Sequence, residues 1–273
     1  MNKQQILITE QDSPYRNSEK MSVAKLIKIM NEEDSKIALA VKKSLKNIND
    51  LILAAVECMK KGGRVFYIGA GTSGRLGVLD ASEIPPTFGV SKDLIIGIIA
   101  GGDMALRNAI EFAEDNSSQG WQELKKNKIK KNDFVIGIST NGAAPYVVGA
   151  IKKCVENNIL TGCITCNKHT ELATLCDYPI AVIVGPEVLT GSTRLKSGTA
   201  TKMILNMIST TMMIQMGNVQ DNKMVQMQLT NEKLIDRGTR MIQDTFNKSY
   251  EESKDLLLKW GSVKEVINFL KKQ

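Results

Sequence analysis

The sequence predicts an α/β fold: a doubly wound parallel sheet of five strands, N-terminal helices packed against it, and a small C-terminal unit of three helices. Short, continuously apolar runs alternate with helix-like segments, as strands buried on both faces require. Loops rich in glycine and hydroxyl groups follow several of those runs directly. The chain has 273 residues, 42% of them hydrophobic and 24% charged. That suits one large domain with an appendage and a real core.

From Met21 to Lys61 the pattern is helical: Ile37, Val41, Leu45, Ile48, Ile52, Ala55 and Met59 recur at three- and four-residue steps. Lys60 and Lys61 suit a helix C-terminus, and Gly62 a stop. The strand candidates are Arg64–Ile68, Leu94–Ile99, Phe134–Ile138, Leu160–Thr165 and Ile180–Val184. A methionine-rich helix is expected from about Leu195 to Met216, with Met203, Met207, Met212, Met213 and Met216 filling the core or a subunit interface. From about Thr230 three short helices are expected, two of them opened by the pairs Ser249/Glu252 and Ser262/Glu265 in capping boxes. The division is 1–228 for the main domain and 229–273 for the helical unit, too thin to stand alone.

Formal net charge is +7, but the basic residues are dispersed. The densest run, Lys125 to Lys131, has little aromatic interleaving and reads as a solvated helix end, which argues against nucleic acid. A modest positive field suits an anionic small substrate. No apolar stretch is long enough for a bilayer, and the N-terminal residues do not show the basic-then-apolar pattern expected of a secretory signal. Cys58, Cys154, Cys163, Cys166 and Cys176 are an odd set, expected as reduced thiols in a cytoplasmic protein. Cys163 and Cys166 form C-x-x-C inside an apolar run, so buried strand cysteines are the better reading, and no second pair supports a metal.

Chemistry should gather at the carboxyl ends of the strands. After the first strand, Gly69, Gly71 and Gly74 satisfy G-x-G-x-x-G. A dinucleotide site also wants an acid about 20 residues further on, and Asp103 comes too late. Thr72 and Ser73 instead place two hydroxyls beside exposed amides at a helix start, which suits a phosphate monoester. The third strand ends in Ser139-Thr140-Asn141-Gly142. The fifth is followed by Thr190–Thr199, with Ser192, Thr193, Arg194 and Lys196. Three such loops at one sheet edge point to an anionic sugar site, and Lys196 either neutralises the phosphate or is a helix-surface lysine. Glu83 precedes Pro85-Pro86, which is expected to break the preceding helix and fix the carboxylate at the pocket rim. Glu114 is expected on a helix after the second strand. His169, the only histidine, reads as a solvated loop residue.

The run Tyr67–Gly89, with Leu7–Gln11, Asn31–Asp34, Ala100–Gly102, Gly185–Lys196 and Thr230–Leu234, resembles the N-acetylmuramic acid 6-phosphate etherases of the sugar-isomerase (SIS) domain superfamily, along almost the whole chain. Two departures stand out: Ile84, where many relatives carry cysteine, and the stretch Met216–Val225. The resemblance implies a lyase of cell-wall amino sugar recycling that removes D-lactate and leaves N-acetylglucosamine 6-phosphate. It implies Glu83 as the acid/base proton donor and Glu114 as the second active-site glutamate, with Glu111 a weaker candidate. It implies no metal or cofactor, a phosphorylated amino sugar as partner, and a homodimer. An aldose–ketose isomerase or a regulatory phosphosugar-binding module would share the fold.

Overall fold

The computed structural model describes residues 7–110, 112–229 and 231–271, so Glu111 and Thr230 lie outside the described residues. The chain enters through two 3-10 turns, Ile8–Glu10 and Ser18–Lys20. Helices α1 (Val23–Asp34), α2 (Ile37–Lys42) and α3 (Leu45–Lys60) follow. The expected single helical stretch is thus interrupted twice, and the second break shifts the phase of the apolar stripe. Ile37, Val41, Ile48, Ile52, Ala55 and Met59 are buried, but Leu45 is exposed. Ser44 turns inward instead and donates to the Ala181 carbonyl at 3.1 Å. Gly62 ends α3 at φ 78°, the left-handed conformation a side chain resists.

The main domain then alternates strand and helix: β1 (Val65–Gly69), α4 (Gly71–Phe88), β2 (Ile95–Ile99), α5 (Met104–Arg107), α6 (Gln119–Lys126), β3 (Phe134–Ile138), α7 (Pro145–Glu156), β4 (Leu160–Thr165), α8 (Glu171–Leu175), β5 (Tyr178–Ala181) and α9 (Lys196–Gln215). The sheet is parallel throughout, in the order β2-β1-β3-β4-β5. Four strands fall where the apolar runs put them. The fifth lies earlier than Ile180–Val184, because its partner β4 ends at Thr165, which pairs with Ala181 and accepts from the Val182 amide. Pro179 is tolerated there because β5 is an edge strand.

Alternation of side chains across the sheet explains the unbroken apolar runs. Val65, Tyr67, Phe134 and Ile136 point into one cluster, with α2, α3, α4 and α9. Phe66, Ile68 and Val135 point into the other, with α6, α7 and α8. Met212 and Met213 are fully buried in the first cluster, with Met203, Met207 and Met216 packed at its margin, so the methionine helix fills the core. All five cysteines are buried free thiols, and burial pushes Cys166 up to about 12, far from a reactive thiolate.

Helix α4 lies unusually close to the sheet. A Cβ on Gly97 would sit 2.5 Å from the Val78 backbone, and one on Gly74 would meet the Ile99 side chain at 2.6 Å. These glycines let α4 press directly against β2. Pro85 and Pro86 do not break α4, which continues to Phe88 and closes on Gly89 with φ 68°. They fall in its last turn, where their missing amides leave only two nearby carbonyls without intrahelical donors.

A hairpin, β6 (Val219–Gln220) and β7 (Lys223–Met224), leads to α10 (Glu232–Phe246), α11 (Tyr250–Trp260) and α12 (Val263–Leu270). The departing stretch Met216–Val225 therefore builds this hairpin. Ile242, Leu257, Val263, Val266 and Ile267 form a separate core that also takes in Val225 and Met227. Ser249 and Glu252 make the full capping box, whereas Ser262 receives only the Glu265 amide. Among the described residues no helix is long and apolar enough to cross a membrane.

Candidate functional site

In the order β2-β1-β3-β4-β5 the direction of winding reverses between β1 and β3, and ligands of such sheets bind in the crevice beyond that point. The loops there are Ala70–Ser73 and Ser139–Gly142. Between them opens a cavity of about 320 Å³ lined by Glu10, Ala70, Gly71, Thr72, Ser73, Glu114, Ile138, Ser139, Thr140, Asn141, Gly191, Thr193 and Gly198. Nearly all the candidate phosphate residues thus meet in one place. Ser192, Lys196 and Glu83 do not line it.

The start of α4 supplies donors. Ala70, before the first turn, makes no side-chain cap, and Gly71 takes φ 52°. The first amide bonded along the chain is that of Gly74, to the Ala70 carbonyl. The amides of Gly71, Thr72 and Ser73 are therefore left to face a ligand, with the positive end of an 18-residue helix behind them. In the β3 loop, the Ser139 hydroxyl donates to Asn141 Oδ1 at 2.8 Å and accepts from the Gly142 amide. The Asn141 oxygen also accepts from the Ala143 amide at 3.0 Å. Ser139 therefore shapes the turn, while the Thr140 hydroxyl and the Asn141 amide nitrogen remain available.

The third loop differs. Glu187 is fully buried, and its carboxylate accepts from the Lys196 amide at 3.0 Å, the Ser197 amide at 2.9 Å and the Ser197 hydroxyl at 2.8 Å. The chain itself thus closes the N-terminus of α9. Lys196 is not a helix-surface lysine: it is 2% exposed and its Nζ lies 2.6 Å from Glu33 Oε2. Glu33 also accepts from Tyr15 and Lys36. Burial alone would raise the Glu33 carboxyl, but hydrogen bonds from Lys196, Lys36 and Tyr15 outweigh it and hold the group at about 2.

Glu114 lies on a 3-10 turn, Ala113–Asp115, rather than on a longer helix, just after Phe112 in a left-handed conformation at φ 61°. It borders both this cavity and a neighbouring one of about 410 Å³. Glu83 is exposed on α4, twelve residues beyond Gly71 and hence about 18 Å further along the helix. A single chain does not bring it to the cavity. His169 is exposed and lines neither cavity.

Glu10 was not legible as a site residue beyond its place in the motif Leu7–Gln11. It arrives because the N-terminal segment is tied down on both sides. Thr9 exchanges hydrogen bonds with Asn167, whose side chain also holds the Thr140 carbonyl at 3.0 Å. Ser13 bonds Thr190 and the Val188 carbonyl. A Cβ on Gly191 would lie 3.5 Å from Glu10 Oε2. Two carboxylates therefore face a cavity whose lining includes no lysine or arginine among the described residues.

Comparison with known proteins bears on the fold and the family. The N-terminal SIS domain of glucokinase regulatory protein matches residues 45–155, and the SIS domain matches residues 112–211. Solved phosphoheptose isomerases share the fold. That of Francisella tularensis has TM-score 0.54 and 16% identity, covering 71% of this chain and 100% of its own. That of Neisseria gonorrhoeae has TM-score 0.53 and 15% identity, over 70% and 99%. Curated relatives are much nearer in sequence. An N-acetylmuramic acid 6-phosphate etherase of Bacteroides thetaiotaomicron is 58% identical over 96% of this chain and 95% of its own. One of Porphyromonas gingivalis is 56% identical over 94% of each, and one of Lactococcus lactis 49% identical over 88% and 80%. With identities this high along nearly the whole length, on a five-stranded parallel SIS-type sheet, the chain belongs to the N-acetylmuramic acid 6-phosphate etherase family.

Proposed function

We propose that this chain is a carbon–oxygen lyase that cleaves the D-lactyl ether of N-acetylmuramic acid 6-phosphate, with Glu114 and Glu83 as its two reacting carboxylates. Family membership carries the reaction class, and the cavity at the β1/β3 crevice carries the site. The phosphate binds the open amides of Gly71, Thr72 and Ser73, with the hydroxyls of Thr72, Ser73, Thr140 and Thr193 around it and Asn141 at the edge. Anchoring at the phosphate holds C2 and C3 of the opened sugar against the carboxylates. Lys196 acts at one remove, fixing the start of α9 through Glu33.

Opening of the pyranose exposes an aldehyde at C1, which makes the C2 proton removable by a carboxylate. The electron pair moves to C2–C3, the C3–O bond breaks, and the departing oxygen takes a proton from the second carboxyl group to leave as D-lactate. Water then adds to C3 of the unsaturated aldehyde, a proton returns to C2, and N-acetylglucosamine 6-phosphate results. Glu83 is the proton donor, in the role the family resemblance gives it.

Since Glu83 stands apart from the cavity of its own chain, it serves the site of a second copy in a homodimer. Leu79, one turn before it on the same face of α4, is 51% exposed, as an interface face would be. A phosphorylated sugar as substrate and buried free thiols support a cytoplasmic enzyme.

The test is D-lactate release from N-acetylmuramic acid 6-phosphate by the purified protein, beside Glu83→Gln, Glu114→Gln and an equimolar refolded mixture of the two. Wild type should release lactate, each variant should be inactive, and the mixture should recover about a quarter of wild-type activity, because half its dimers carry one intact shared site. Saturable phosphosugar binding without lactate would instead favour a regulatory module. A mixture that stays inactive would place both glutamates in one chain.

A further inference from the structure

Beside the phosphate cavity lies the second one, of about 410 Å³, and the two share Ala70, Gly71 and Glu114. Its wall is mostly small and apolar, with Ala100, Ala105, Ala109 and Ile110, and its charged lining residues are Arg75, Glu114 and Asp115. Among the described residues Arg75 is the only cation lining either cavity. Its Nε donates to the Leu106 carbonyl at 3.2 Å and one Nη to the Asn108 carbonyl at 3.1 Å, and among the described residues the other Nη has no hydrogen-bond partner.

This arrangement fits one part of the substrate class better than any other. A phosphosugar ether of lactic acid has two anionic ends joined through C3, and its branched acid carries a methyl group beside a carboxylate. The phosphate is met by neutral amides and hydroxyls at the start of α4. The only guanidinium on offer to the other anion is across Glu114, in a chamber whose alanines and isoleucine suit a methyl group. We infer that the second cavity is the lactyl subsite, with Arg75 pairing the lactyl carboxylate and Ala109 and Ile110 covering its methyl group. This rests on the etherase reading above and says which surface tells the ether from the plain amino sugar phosphate. Glu114 then stands where the two chambers meet, between the phosphate-bearing end of the sugar and the group that departs.

Arg75 also braces the segment 106–108, so a purely structural role must be told apart from recognition. The experiment compares N-acetylmuramic acid 6-phosphate, through its KM, with N-acetylglucosamine 6-phosphate, through its inhibition constant, in wild type, Arg75→Met, Arg75→Lys and Ala109→Leu. Ala109 is exposed, so the leucine adds bulk to the chamber without entering the core. Arg75→Met and Ala109→Leu should each raise KM for the ether about tenfold or more, the scale of one charge-assisted pair, and leave the inhibition constant within about twofold. Arg75→Lys should fall between, keeping the charge but not the planar fork.

Equal weakening of both ligands would reduce Arg75 to a brace, and no change in either would empty the chamber of a role. Either result overturns the inference even when wild type releases lactate. Should wild type release none, the etherase reading fails by itself. The same ratio of affinities, measured by calorimetry with the two sugars, then decides whether the chamber recognises the lactyl group.

Discussion

Two helices begin at the same rim of the sheet, and they treat their first amides in opposite ways. Helix α4 follows a glycine loop with hydroxyls and leaves the amides of Gly71, Thr72 and Ser73 open to a cavity. Helix α9 follows a loop just as rich in glycine and hydroxyls, yet Glu187 fills its N-terminus and Lys196 turns inward to Glu33. One helix start stays open to a cavity, and the other holds an anion of its own. A Ser/Thr-Gly loop before a helix is therefore not by itself a phosphate site; what matters is whether the chain supplies the carboxylate.

The largest effect should come at the chemistry served by the open helix. Glu114→Gln should lower the rate of lactate release by about 10² to 10⁴, with N-acetylglucosamine 6-phosphate still binding. A variant turning over near the wild-type rate would remove Glu114 from the reaction.

At the closed helix, Glu187→Ala should unfold at markedly lower denaturant, a loss of about 3–5 kcal/mol, because it strips a buried cluster of its acceptor. Equilibrium urea unfolding measures it, and a loss below about 1 kcal/mol would show that water replaces the carboxylate without penalty.

Ser73→Ala should raise KM about tenfold by removing a donor to a charged group at the open helix. An unchanged KM would move the phosphate to another loop.

A smaller, pH-dependent effect belongs to Glu33. Its carboxyl is held at about 2, below its ordinary 4.5, so its ion pairs add stability that is fully present above about pH 4.5 and is lost as pH falls toward 2. The stability gap between wild type and Glu33→Gln should close across that window in urea melts at stepped pH. A gap that stays constant would mean that Glu33 keeps its proton equilibrium unchanged on folding. The smallest effect is expected at Ser192→Ala, whose side chain lines neither cavity; KM should stay within about twofold of wild type.

The sequence determined the layers of this protein. Strands buried on two faces must be apolar at every position, so Phe134–Ile138 and its counterparts announce themselves locally. That α4 needs glycine at Gly74 and Gly97, where it presses on the sheet, showed only in the folded chain. The order of the loops along the chain was equally legible, and with it the set Gly71, Thr72, Ser73, Ser139, Thr140, Asn141 and Thr193 that gathers in the crevice.

Only the tertiary structure decided the partners. Glu33 and Lys196 are 163 residues apart, and Thr9 and Asn167 are 158 apart. No local pattern distinguishes a glutamate that will cap a buried helix, such as Glu187, from one that will line the cavity, such as Glu10 or Glu114. The strand limits show the same division on a smaller scale: the apolar run placed β5 at Ile180–Val184, and the end of β4 at Thr165 moved it. Periodicity and backbone conformation are properties of neighbouring residues and can be read along the chain. The pairing of a charge depends on what folding brings beside it, because an unpaired buried carboxylate costs too much to persist.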